Sequence, residues 1–208
     1  VPRDVSKYFV EGEPVFSVTE ALDQAGYVDL TRIPWLVLED ARVRGTAVHT
    51  WLELVVGSPE MIRGLDPPEF IAGYIAAWER WRIESRFEIE NVENVVVDPV
   101  YRYAGTYDVL GRMSGNRGLV DYKARYGLTP EIGPQTAGYL GAARASGLVD
   151  ATEPVERYAL LLRRDGTYRF EQQKSRNDLH AFRYAVGVTH WKIANGITTL
   201  DHIRRPRP

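Results

Sequence analysis

The chain contains no cysteine. That excludes disulfides, thiolate zinc sites, cysteine-ligated iron–sulfur clusters and a thiol nucleophile. Long apolar runs are missing as well. No stretch of about 18 apolar residues occurs, so no membrane-spanning segment is expected. The opening VPRDVSKYFVEGEP lacks the apolar core of a secretion signal, and none is expected there. Lysine is rare. Of 26 basic residues, only Lys7, Lys123, Lys174 and Lys192 are lysine and 22 are arginine. Arginine is the better bidentate partner for phosphate, with codon usage as the alternative explanation of the excess. A large net charge is absent too, the formal value being −2. That total weighs against a polyanionic partner until its distribution is read. Residues 1–104 carry 10 Lys+Arg against 18 Asp+Glu, and residues 105–208 carry 16 against 10. A basic half can meet a polyanion while the sum stays near zero.

What is present is the composition of an ordinary globular protein, 44% hydrophobic and 26% charged over 208 residues. This length predicts one domain over residues 1–208. Residues 8–18 alternate and read as a hairpin around Glu11-Gly12-Glu13-Pro14. Ser17-Val18-Thr19-Glu20 fits a capping box opening a short helix to about Gly26. A long helix is predicted over 35–56, ended by Gly57-Ser58-Pro59, with Val37, Ala41, Val48, Trp51, Leu52 and Val55 as its apolar positions. Pro67-Pro68 starts another, with Phe70, Ile71, Tyr74, Ile75, Ala77, Trp78 and Trp81 apolar. The period then changes. Residues 87–97, 101–110 and 119–124 read as strands, the last two joined by a glycine-rich loop over 111–118. A helix over 132–145, a hairpin over 157–173 turning at Asp165-Gly166, and a helix over 178–194 complete the order. The basic end reads as a mobile tail from about residue 203. Together these predict an α/β fold, a central mixed, largely antiparallel β-sheet flanked by α-helices.

The chemistry concentrates in Gly105-Thr106-Tyr107-Asp108 and Val120-Asp121-Tyr122-Lys123. Asp121 and Lys123 are two apart on a strand and share a face. Asp108, on the preceding strand, can lie beside Asp121. Two crowded carboxylates repel, and a divalent cation relieves them, hard oxygen ligands suiting Mg²⁺ or Mn²⁺. The alternative is a salt-bridged exposed face. Gly45, His49 and Glu53 are spaced by four on the long helix and share a stripe. Gly45 would admit a close approach to the sheet. His49 offers a nitrogen ligand or is a satisfied polar residue, and Glu53 is a supporting partner or a surface charge. Gln135 and Tyr139, also four apart, can turn over the strand ends to hold phosphate or stack on a base, or simply pack. Tyr74, Trp78 and Trp81 with Arg80, Arg82 and Arg86 read either as core with a solvated edge or as a stacking wall.

The ordered set is His, Asp, Asp-x-Lys, Gln-x-x-x-Tyr. It is carried by GTAVHTWLE (45–53), YAGTYDVLG (103–111), GLVDYKA (118–124) and QTAGYL (135–140), with VFSVTEAL (15–22) ahead of them. In these motifs the chain resembles the PD-(D/E)XK nuclease superfamily, RecB-like exonuclease branch, of the small phage and mitochondrial type. The resemblance covers about residues 8–145. It implies a restriction-endonuclease-like core and a metal-dependent DNA exonuclease that hydrolyses phosphodiester bonds in recombination, repair or replication, in a phage or prophage and a bacterial cytoplasm. It implies one or two Mg²⁺ or Mn²⁺ ions held by His49, Asp108, Asp121 and the Tyr122 carbonyl. Lys123 is the implied catalytic lysine, acting with Asp108 and Asp121. Gln135 and Tyr139 are implied at the substrate. DNA is the implied partner. Zero cysteines exclude the iron–sulfur subtype. A non-cutting nucleic-acid-binding module of the same fold and a sequence-specific endonuclease are the alternatives.

Overall fold

The computed structural model describes residues 8–29 and 33–204. Strands β1 (Tyr8–Val10) and β2 (Glu13–Ser17) form the expected hairpin. Its two turn residues, Glu11 and Gly12, both have positive φ (52° and 82°), as a tight primed turn requires. Ser17 then caps α1 (Val18–Gln24): its hydroxyl accepts from the Glu20 amide, and the Glu20 carboxylate accepts from the Ser17 amide. Helices α2 (Trp35–Gly57) and α3 (Glu69–Ser85) follow, each entered through proline.

Strands β3 (Glu88–Asp98), β4 (Tyr103–Met113) and β5 (Asn116–Lys123) form an antiparallel meander. Helix α4 (Ile132–Ala145) returns the chain to β6 (Val155–Leu162), which lies parallel to β5. β7 (Tyr168–Gln172) pairs antiparallel with β6, and α5 (Asp178–Ala194) and α6 (Leu200–Arg204) end the described chain. The result is a central mixed β-sheet flanked by α-helices. Where a loop is expected over 111–118, the β4–β5 ladder runs on through Gly111, Arg112 and Met113. Only Ser114 and Gly115 turn, both with positive φ, because glycines opposite one another extend the ladder without bulk. Of the predicted tail, residue 204 closes α6 and 205–208 lie outside the described residues.

The sheet separates two cores. One face packs on α1, α4 and α5 through Phe16, Leu22, Tyr103, Tyr107, Leu140 and Phe182. The other packs on α2 and α3 through Val48, Leu52, Trp78, Trp81, Tyr122 and Leu160. Trp78 and Trp81 are fully buried and Tyr74 nearly so, so they are core and not a stacking wall. Phe70, expected among the apolar positions, is exposed.

Three features of β3 and β4 position the site. Ala104 pairs with both Val97 and Ser17, and Val109 with both Val92 and Val120. Hence β2 and β5 share the β4 edge opposite β3. β2 reaches Ala104 and β5 starts at Val109, so residues 105–108 face a gap between them. Second, the pleat changes phase at this point. Tyr107 and Val109 belong to opposite cores, as do Val92 and Val96 on β3, although strand alternation would put each pair on one face. Third, Glu93, inside the phase change on β3, has φ of 50°, a left-handed conformation in mid-strand.

Candidate metal centre

The ladder between β4 and β5 stops at Val109–Val120. Beyond it the Asp108 side chain substitutes for a backbone acceptor: its Oδ2 accepts from the Tyr122 amide at 2.8 Å. Asp108 is thereby fixed in the mouth of the gap, 4% exposed. Its Oδ1 is 3.4 Å from His49 Nδ1, which reaches in from α2. The same Nδ1 is 3.0 Å from Glu93 Oε1. The Tyr122 hydroxyl donates to that oxygen at 3.0 Å, and the Tyr122 ring stacks on the imidazole with centroids 4.4 Å apart. Trp78 packs against Tyr122 from below, edge to face at 5.3 Å. The aromatic core of α3 therefore sets the imidazole plane.

His49, Glu93 and Asp108 each offer one ligand atom within 4.8 Å of the others. Among the described residues this is the group able to hold a metal ion. Asp121 stands next to it. On β5, Tyr122 faces α2 and α3, so Asp121 and Lys123 turn together toward α4, as their spacing predicts. Asp121 is 1% exposed, and its charge is met by Lys123, which donates to Oδ1 at 2.9 Å and lies 2.8 Å from Oδ2. Lys123 itself keeps a fifth of its side chain exposed.

Burial raises the Asp108 carboxyl to about 7; the His49 charge opposes this, and the Asp121 and Glu93 charges add to it. The Tyr139 phenol is also held well above its ordinary value, first by burial and then by the charges of Asp121 and Asp108. These groups sense a surplus of negative charge in a dry place. A hard divalent cation fits the set: oxygen donors with one imidazole nitrogen, and crowded carboxylates that it would neutralise.

Gln135 and Tyr139 lie behind this centre. The Gln135 amide donates to the Tyr139 hydroxyl at 3.0 Å, and both side chains are about 95% buried. The Tyr139 ring lies against Gly105, where an added Cβ would be 2.6 Å from the ring. In this arrangement their polar atoms are turned toward each other and the Tyr139 ring lines the start of the β4 gap. Glu53 is also not where the helical stripe puts it. The inward line of α2 runs through Val48 and Leu52; Glu53 continues its flank into solvent and is exposed. Glu93 makes the contact to His49 instead. Gly45 faces open space and admits no close approach. The close approach needing glycine at the centre is at Gly105.

Glu93 is the residue that sequence reading missed. Its one local signal is a charged position between Val92 and Asn94 within the strand run Glu-Asn-Val-Glu-Asn-Val-Val-Val.

No protein-family model matches the chain, and no curated protein matches it. Among solved structures it is similar to an alkaline exonuclease (LHK-Exo) from Laribacter hongkongensis. That match has 14% identity and a TM-score of 0.40, and covers 58% of this chain and 64%, less than two thirds, of that one. It is also similar to LHK-Exo in complex with dAMP, at 12% identity and a TM-score of 0.44, over 88% of this chain and 94% of that one.

Proposed function

We propose that the protein is a divalent-metal-dependent deoxyribonuclease, an exonuclease that hydrolyses phosphodiester bonds. The observation that carries this reading is the convergence of His49, Glu93, Asp108 and the Asp121–Lys123 pair on the gap where β4 and β5 part. The ordered motifs support it: of their polar residues, His49, Asp108, Asp121, Lys123, Gln135 and Tyr139 lie at or behind that gap, while Glu53 does not.

In this reading His49, Glu93 and Asp108 hold the cation, with Asp121 and the Tyr122 carbonyl adjoining. A bound Mg²⁺ or Mn²⁺ supplies Lewis acidity, lowering the pKa of water and offsetting charge at the phosphate. The chain's own groups do the rest. Tyr122 fixes Asp108 through its amide and Glu93 through its hydroxyl, so both carboxylates are oriented before substrate arrives. Lys123 has donors to spare beyond the one given to Asp121, and presents them to the attacking water or a phosphate oxygen. Gln135 and Tyr139 keep the gap shaped and dry.

The deciding assay is digestion of end-labelled single- and double-stranded oligonucleotides beside a closed plasmid circle, with Mg²⁺ or Mn²⁺. An exonuclease shortens the oligonucleotides from their ends and leaves the circle closed. Cutting of the circle makes the protein an endonuclease. Salt-dependent binding with no turnover makes it a non-cutting module. Lys123→Gln retains a hydrogen bond donor for Asp121 but not the charge. It is expected to lower the rate on the order of 10²-fold while Mn²⁺ binding stays unchanged; full activity would remove the role given to Lys123.

A further inference from the structure

Beyond the end of β5 is a cavity of about 630 Å³ lined by four arginines, Arg44, Arg125, Arg163 and Arg164, and one carboxylate, Asp165. Arg125 is ion-paired with Glu131 at 3.2 Å. Among the described residues, Arg44, Arg163 and Arg164 are in no ion pair. Asp165 accepts in its own turn from the amide and hydroxyl of Thr167, and its charge also meets Arg163, so one carboxylate faces the four guanidiniums. Guanidiniums gathered from α2, the segment after β5 and the β6–β7 turn repel one another unless an anion lies between them.

The gathering is built. Arg44 Nε donates to the Ala124 carbonyl at 3.1 Å, and its guanidinium lies over the Tyr74 ring. Gly73 of α3 seats the Arg164 carbonyl so closely that a Cβ there would be 1.7 Å from it. The site adjoins the metal centre: Ala124 follows Lys123, and Arg44 precedes His49 by five residues, about 7.5 Å along the helix axis. At the cavity wall Tyr126 is fully exposed, an unused stacking surface.

We propose that this cavity is a phosphate-binding subsite for a single nucleic-acid strand on its way to the metal centre. A basic groove beside an exposed aromatic ring is the chemistry of single-strand binding without sequence preference. The volume is that of a small-ligand site. The inference rests on the nuclease reading for the strand's destination, not for the anion chemistry.

The test is binding of fluorescent oligothymidylate in EDTA between about 50 and 200 mM salt. Arg163 and Arg164 are exposed on a turn, so Arg163→Gln with Arg164→Gln leaves the core intact. The double variant is expected to flatten the slope of log K against log salt by about 1.4 and to weaken binding about tenfold. Arg169→Gln, outside the cavity, should do neither. An unchanged slope in the double variant, or an equal loss with Arg169→Gln, overturns the subsite. If the wild type cuts DNA but its binding ignores the double variant, the subsite fails alone. If it cuts nothing yet loses the slope, the nuclease reading fails and the subsite stands.

Discussion

Glu93 occupies a left-handed backbone conformation that a non-glycine side chain adopts at a cost of about 1 kcal/mol or more. It also adds a carboxylate beside buried Asp108, raising the Asp108 pKa further. Both costs are removable by one substitution. Glu93→Gly is expected to raise the thermal midpoint while weakening Mn²⁺ binding about tenfold or more, measured by unfolding and by metal titration. A lower midpoint would show that Glu93 is structural. Asp108 sets a pH dependence of stability. Its carboxyl is at about 7 in the fold against an ordinary 3.8, so the fold favours the neutral acid. That contribution is full below about 3.8 and is lost as pH rises through about 7. Without metal, Asp108→Asn should therefore gain on the wild type in thermal midpoint between about pH 5 and pH 8. A constant difference over that range would mean that Asp108 is ionised throughout.

At the scale of elements, α2 and α3 differ in how far their sequence pattern holds. The α3 positions expected to be apolar and inward are buried apart from Phe70. In α2, Val37 and Ala41 fit the same periodicity, yet the first buried residue is Val48. The first half of the helix runs past the sheet, and periodicity does not report where a sheet ends. Arg44, on this unburied half, is free to serve the cavity. The β6–β7 turn reaches the same cavity because α3 carries Gly73 beneath it. Gly73→Ala changes no charge, but its Cβ would overlap the Arg164 carbonyl and displace the turn. Single-strand affinity is expected to fall about as much as in the arginine double variant; unchanged affinity would mean that the turn's position is irrelevant to binding.

At the scale of the molecule, the acidic and basic halves of the chain meet at the centre: His49 and Glu93 come from the first, Asp108, Asp121 and Lys123 from the second. The net charge of −2 thus conceals a carboxylate cluster set beside an arginine cavity. A cation bound by the native state and not by the unfolded chain stabilises it by mass action. At a free Mn²⁺ concentration of about 100 Kd the expected gain is about 2.7 kcal/mol, reversed by EDTA. Asp108→Asn should abolish it. A gain that survives this substitution would place the metal elsewhere.

The sequence by itself determined what depends on neighbours along the chain. The Ser17 cap, the Glu11-Gly12 and Asp165-Gly166 turns, the extents of α4 and α5, and the common face of Asp121 and Lys123 are all local consequences of helix period, strand alternation and backbone preference. Asp108, Asp121, Lys123 and His49 were singled out by the ordered set of motifs and the resemblance that set carries, not by any one local pattern. The tertiary structure decided which residues meet across the chain. It placed Glu93 and not Glu53 against His49, put Gln135 and Tyr139 behind the gap, and gathered arginines from three elements. Those outcomes follow from the phase change in β3 and β4 and from where β2 and β5 part along β4. Pairing between strands distant in sequence sets both, and a local pattern carries no record of it.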